Sequence, residues 1–493
     1  MMEPTLSPAE VRVVVIGTLL ALFLSALEQT IITTAMPQIA RDLGDFSLLS
    51  WVITAYLLTS TCATSVFGKL SDFHGRRLTL IISLGIFMMG SALCALANGM
   101  TFLILARALQ GIGGGGLVTI VQAIFGDVLS PRERGRYSAY FSLVYGSASV
   151  FGPSLGGVLT QYVGWPWIFW INLPFGLIAL ATADRALRKL KVRRQDAPID
   201  YTSVLVLCCT TVAFLIMVSL GGKELPWTAP QTLALAGTAL SLGSLFFWLQ
   251  KRSPAPVLPL RFLADRVLGP LLASNFITFG TFLAITVLTP VYLQVALSTS
   301  AAEAGLLTIP LLVSTSVSSI FAGRYCRQHG RYKLPPLLSL PFAVIALALL
   351  AILADQVTPV TAAALLMLVG LGVGPAYPSS SVAALNAVEP TDFGAISGVL
   401  FFVRALGSAI AIAVASAVVL GLSSKALPGI TASVEDLVRT ELPPDAHGIV
   451  ARAFGSMFGA TAAALLIGLL IFVGVEDRRL RDEGSVPVGS TPE

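Results

Sequence analysis

Charge is what this sequence has least of. Only 12% of its 493 residues are Asp, Glu, Lys or Arg, and 55% are hydrophobic, where an average soluble domain carries roughly 25% charged residues. That balance excludes a water-soluble fold. Histidine and cysteine are scarce as well. His74 and His329 fall in polar links and His447 in a longer one, while Cys62, Cys94, Cys208, Cys209 and Cys326 lie mostly inside apolar runs. Neither type shows metal-ligand spacing or a disulfide framework, so the cysteines read as packing residues and no metal or other cofactor is expected. No nucleophile, base and orienting acid can be assembled, which argues against an enzyme. No GxxxxGK[ST] loop is present, which argues against ATP-driven work. The net charge of +5 does not point to nucleic acid, because the basic residues sit in short links between apolar runs, where they set membrane orientation.

What the sequence does contain is apolar stretches of about 20 residues, the length that crosses a bilayer as a helix. About fourteen follow one another, from Val11–Met36 to Ile449–Val475, which predicts an all-α membrane protein. The first stretch has no small-residue cleavage site behind it and reads as a retained helix. Of the 31 Lys and Arg residues, Arg41, Lys223, Lys425 and Arg439 fall on one side, and Arg107, Arg404 and Arg452 fall within spans. The rest fall on the side of the N terminus. Cytoplasmic loops hold such an excess, so both termini are expected in the cytoplasm.

Spacing also divides the chain. Gly68, His74, Gly75 and Arg76 recur 255 residues later as Gly323, His329, Gly330 and Arg331. Gly111, Gly113, Gly115, Pro131, Gly135 and Ser138 recur at an offset of 259 as Gly370, Gly372, Gly374, Pro390, Gly394 and Ser397. Two collinear matches imply duplicated halves with a site near the midplane between them. The expected organisation is a six-helix bundle over residues 1–183, a basic cytoplasmic linker over 184–200, an inserted helix pair over 201–250, a second six-helix bundle over 251–475, and a disordered tail over 476–493. In the external link 422–448, the string SVEDLVRTEL fits a short surface helix.

At this point the chain resembles the major facilitator superfamily, specifically its fourteen-helix drug:proton antiporter branch, over essentially its whole length. The string GKLSDFHGRR, Gly68 to Arg77, is similar to the family's loop signature between the second and third spans. The resemblance implies a cytoplasmic gate of Gly68, Asp72, Gly75 and Arg76, with Asp72 facing a helix N terminus of the second half and Arg76 pairing with Asp127. The fifth span reads GSASVFGPSLGG, close to the antiporter signature, with Ala148 where glycine is usual. Gly152, Pro153, Gly156 and Gly157 then form a hinge, since an internal proline removes a backbone bond and kinks the helix.

In the fourth span, LARALQGIGGGG places Arg107, Gly111 and Gly115 on one helix face, a charge beside a smooth groove. A guanidinium in lipid costs at least ~2.5 kcal/mol, so it faces the bundle interior. Glu28 is its expected partner. It lies nine residues before Pro37, roughly 14 Å of helix, and Arg107 lies six residues beyond Thr101, roughly 9 Å. The string LEQTIITTAMP resembles the branch's first-span signature, with Glu28 where Asp is usual, and Glu28 with Arg107 is the expected proton-coupling pair. Arg404 lies eleven residues beyond Phe393, roughly 16 Å deep, and resembles a recurrent arginine of the branch.

One buried acid against two deep cations disfavours a dicationic solute, because an unpaired positive ligand is costly in low dielectric. The expected solute is a neutral, zwitterionic or anionic amphiphile, in a cavity of Arg404, Gly111, Gly115, Tyr56 and Tyr145, the tyrosines stacking on a planar ring. The function expected is proton-coupled export by a monomer in a bacterial inner membrane. The rival reading is a dedicated metabolite or vitamin carrier, for example for a flavin, with a membrane enzyme or a non-transporting sensor behind it.

Overall fold

In hydrocarbon, a chain satisfies its backbone N–H and C=O groups within its own helices. The computed structural model describes residues 8–44, 48–188, 200–220, 228–253, 256, 258–426 and 444–480, and every regular element among them is helical. In order they are α1 (Pro8–Leu43), α2 (Leu49–His74), α3 (Arg76–Ala95), α4 (Met100–Val128), α5 (Pro131–Tyr162), α6 (Trp167–Trp170), α7 (Asn172–Leu187), α8 (Tyr201–Leu220) and α9 (Pro230–Arg252). They continue as α10 (Arg261–Ala264), α11 (Leu268–Ala296), α12 (Ala301–His329), α13 (Leu334–Leu353), α14 (Pro359–Val373), α15 (Ala376–Ala387), α16 (Phe393–Ala426) and α17 (Pro444–Val473). Most of the expected linker, the link before α9, the string SVEDLVRTEL and the tail beyond Leu480 lie outside the described residues.

Among the described residues, twelve helical segments are long and apolar enough to cross a membrane. The count differs from the expected fourteen at two places. Tyr137–Gln161 lies within α5, whose first turns are charged and whose body is rich in glycine and serine. In α8 the apolar section is the shorter Thr202–Val218.

The packing repeats. In α4, a Cβ on Gly111 would run into Tyr56 and Thr59 of α2, and one on Gly113 into Ser83 and Phe87 of α3. In α14, Gly370 meets Leu311 and Ser314 of α12, and Gly372 meets Ser339 and Ala343 of α13. Such backbone approach holds helices together where no hydrophobic drive separates side chain from lipid. Likewise α1 packs on α5 and α7, as α11 packs on α16 and α17. The two sets meet where α2 packs on α16 and where α5 packs on α12 and α15. Helices α8 and α9 pack on each other, and α8 leans on α2 and α16. An apolar groove of about 590 Å³ between α8 and α16, lined by Phe214, Met217, Ile410 and Val414, lies apart from the buried charges described next. The outer faces carry exposed Leu105, Leu240, Ile352 and Val360, as a lipid-facing belt requires.

Candidate functional site

Glu28 of α1 and Arg107 of α4 are fully buried against each other. Arg107 Nη1 donates to Glu28 Oε1 at 2.5 Å and to Gln110 Oε1 at 2.7 Å, and its Nε donates to the Val52 carbonyl of α2 at 3.1 Å. The second carboxylate oxygen, Oε2, accepts from Asn172 Nδ2 of α7 at 2.5 Å. Asn172 Nδ2 also reaches Ser91 Oγ of α3 at 2.9 Å, and Gln110 Nε2 reaches the same hydroxyl at 3.1 Å. Five helices therefore converge on one carboxylate and one guanidinium. A buried pair repays its desolvation only when the remaining lone pairs and protons are satisfied, and removing one partner costs about 3–5 kcal/mol. A proton on Glu28 would remove that partner's charge without removing its atoms.

The second constellation lies at the α2–α3 turn. Gly75 has φ of 87°, a conformation that suits glycine, and lets α2 run into α3 within one residue. Asp72 is buried and accepts from the backbone N–H groups of Gly394 at 2.9 Å and Ala395 at 2.8 Å, in the first turn of α16. An anion there also meets the positive end of the helix dipole. A Cβ on Gly68 would stand 2.5 Å from the Gly394 carbonyl oxygen, so the seam closes only because both residues are bare. Arg76 donates to Asp72 at 2.5 Å and to Asp127 at 2.7 Å, and Arg77 donates to Asp184 at 2.7 Å. Beside it, the Arg134 guanidinium sits 4.7 Å over the Phe393 ring, and Arg261 pairs with Asp392 at 2.5 Å.

Arg404 of α16 is buried among aromatic rings rather than carboxylates. Its Nε donates to Asn275 Oδ1 of α11 at 3.2 Å and its Nη2 to Ser380 Oγ of α15 at 2.7 Å. Tyr145 of α5 and Tyr377 of α15 lie within its electrostatic reach. Within α5, Gly152 and Gly156 face α1, where an added Cβ would meet Thr30 and Ile31.

Residues 18–412 match the family model described as Major Facilitator Superfamily. The chain belongs to that family. It is 35% identical to the multidrug transporter protein MdtP of Bacillus subtilis (strain 168), over 82% of this chain and 74% of that one. It is 31% identical to multidrug resistance protein 3 of the same organism, over 83% and 80%. Among solved structures, the human organic anion transporter MFSD10 (TETRAN) aligns with a TM-score of 0.66 at 18% identity, covering 94% of this chain and 100% of that one. A bacterial homologue of the iron transporter ferroportin in its outward-facing state aligns at 0.62 with 12% identity, over 94% and 98%. At such identities the likeness is one of fold. As a member of the major facilitator superfamily, the chain is a multi-pass membrane transporter, and its family is not one of enzymes.

Against this geometry, several sequence-based expectations need correction. Gly111 and Gly115 line no groove: α2 fills the space, and an added Cβ at either would strike Thr59 or Ser60. Tyr56 offers no free ring face, because the Arg107 guanidinium sits 4.5 Å above it and its hydroxyl lies 3.3 Å from Ser25 Oγ. Small residues on one helix face serve backbone approach as readily as a cavity, and here approach wins. An added Cβ at Gly157 would meet open space, unlike one at Gly152 or Gly156. The side chain of Pro153 lies outside the described residues.

The expected site residues are brought together in three places: Glu28 with Arg107; Gly68, Asp72, Arg76 and Asp127 around Gly75; and Tyr145 near Arg404. Sequence reasoning missed Asn172, Gln110 and Ser91 around the first, Gly394, Phe393 and Arg134 around the second, and Asn275, Phe279, Tyr377 and Ser380 around the third. Asn172 and Gln110 carried a signal, a large amide inside an otherwise apolar span, since buried amides need partners.

Proposed function

We propose that this chain is a proton-coupled exporter of small neutral, zwitterionic or anionic amphipathic compounds, a multidrug-type pump of the fourteen-helix branch of its family. Two six-helix bundles, residues 1–183 and 251–475, rock about a shared cavity, and the pair over 201–250 is an insertion beside them. The observation that carries the proton role is the Glu28–Arg107 pair, a fully buried carboxylate held by Arg107 and Asn172. Protonating Glu28 releases the guanidinium, and rocking of the halves then exposes the carboxyl alternately to the two sides. Support for drug-type substrates comes from the names of the two Bacillus subtilis relatives.

In this reading the Asp72–Gly394 seam is the cytoplasmic gate, closed in the state described, with both termini in the cytoplasm of a bacterial inner membrane. Gln29 and Thr33, one turn apart on α1 and exposed, then face an external opening next to Glu28. Proteoliposomes with an imposed pH gradient test the proposal: Glu28→Gln abolishes gradient-driven accumulation of a fluorescent drug while leaving equilibrium binding in place. Undiminished uphill transport by that variant overturns it.

A further inference from the structure

The two deep arginines differ in one respect. Arg107 has a carboxylate; among the described residues Arg404 has none. Its Nε and Nη2 are used, but Nη1 is buried with no hydrogen-bond partner. The residue is 5% exposed. Its guanidinium carbon sits 4.2 Å from the Phe279 ring centroid, 4.4 Å from that of Tyr377 and 5.3 Å from that of Phe401. It lies over the Tyr377 ring and within reach of that residue's hydroxyl, which is likewise buried and makes no well-formed hydrogen bond.

Ring faces compensate a buried guanidinium only in part, because their attraction is weak beside the desolvation of a full charge. A cation left with a free N–H in low dielectric is therefore short of one anion. Place matters too. Phe401 and Tyr377 touch Phe141 of α5, at 6.4 Å and 5.9 Å between ring centroids, so these rings span the seam between the two helix sets. A cluster at that seam opens whenever the sets separate.

We propose that Arg404 is the anion-binding subsite of the transport cavity, taking the carboxylate of a planar aromatic solute on its free Nη1. When the sets part, the solute ring takes the place of Phe141 against Phe401 and Tyr377, on faces the guanidinium does not cover, and the Tyr377 hydroxyl donates to the second carboxylate oxygen. Asn275 and Ser380 hold the guanidinium so that one N–H stays available. The proposal rests on the transporter reading and narrows its substrate class.

Binding to the purified full-length protein at fixed pH, without a gradient, tests it with 2-naphthoate and its methyl ester as probes. The wild type prefers the carboxylate; Arg404→Gln weakens 2-naphthoate by about tenfold or more, as loss of a charge-assisted bond does, and leaves the ester nearly unchanged. A wild type with no preference for the carboxylate overturns the proposal, as does an equal loss for both probes, which is the mark of a merely structural arginine. If Arg404→Gln does not fold, Arg404→Met fills the same ring-lined space without a charge, and an unchanged carboxylate-to-ester ratio in it is equally fatal. Gradient-driven uptake of 2-naphthoate into inverted vesicles is the separate arm. Discriminating binding without such uptake leaves the subsite standing and removes the efflux reading.

Discussion

At the scale of single residues, the polar groups around Glu28 set what the carboxylate can do. Asn172 Nδ2 bridges Glu28 and Ser91, so it ties α7 to α1 and α3 while holding one carboxylate oxygen in place. Hydrogen bonds to charged groups are worth about 1.5–3 kcal/mol. Asn172→Ala is expected to lower the melting temperature of the detergent-solubilised protein and to slow transport, whereas a surface change such as Arg188→Ala, on a largely exposed side chain, leaves both unchanged. A melting temperature equal to that of the wild type would show that Asn172 adds nothing to the pair. The contact of Glu28 with Arg107 was legible beforehand because depth in a membrane helix follows from counting residues at a fixed rise. Asn172 was not: its role depends on how α6 and α7 turn back into the bundle.

Among the helices, the glycines of α5 separate two uses of the same residue. A Cβ at Gly156 would stand 2.5 Å from the Ile31 carbonyl oxygen of α1, while one at Gly157 meets open space. Gly156→Val is expected to reduce the yield of monodisperse protein sharply, through overpacking of about 1–3 kcal/mol or more, and Gly157→Ala to be tolerated. Size-exclusion profiles of the two variants check this, and equal profiles would mean that α1 and α5 can part without loss. The sequence marked this stretch as special without saying which glycine touches what. Periodicity gives the face of a helix, but which neighbour lies against that face is decided by the other chain segments. The same limit produced the misplacement of Gly111, Gly115 and Tyr56 in a cavity.

For the molecule as a whole, the polar part of the closed seam between α2 and α16 rests on two N–H donors of α16 on the Asp72 carboxylate, beside the close backbone approach of Gly68 and Gly394. The repeat has no second copy of this device, because the position 255 residues after Asp72 is Arg327, which cannot accept from a helix N terminus. Asp72→Asn is expected to raise the population open at this seam about tenfold, the weight of one charge-assisted bond. In a background without the native cysteines, Ser397→Cys, on the buried face of α16, reports it as faster alkylation by a membrane-permeant maleimide. An unchanged rate would show that the carboxylate does not hold the seam. By itself the sequence determined the helical membrane class, the duplicated glycine pattern and the place of each buried charge along its own helix, because these follow from composition, spacing and the fixed rise of a helix. Only the tertiary structure decided which cation has an anion and which lacks one, because Arg107 and Arg404 differ in the neighbours that distant segments bring to them, and such neighbours are set by packing.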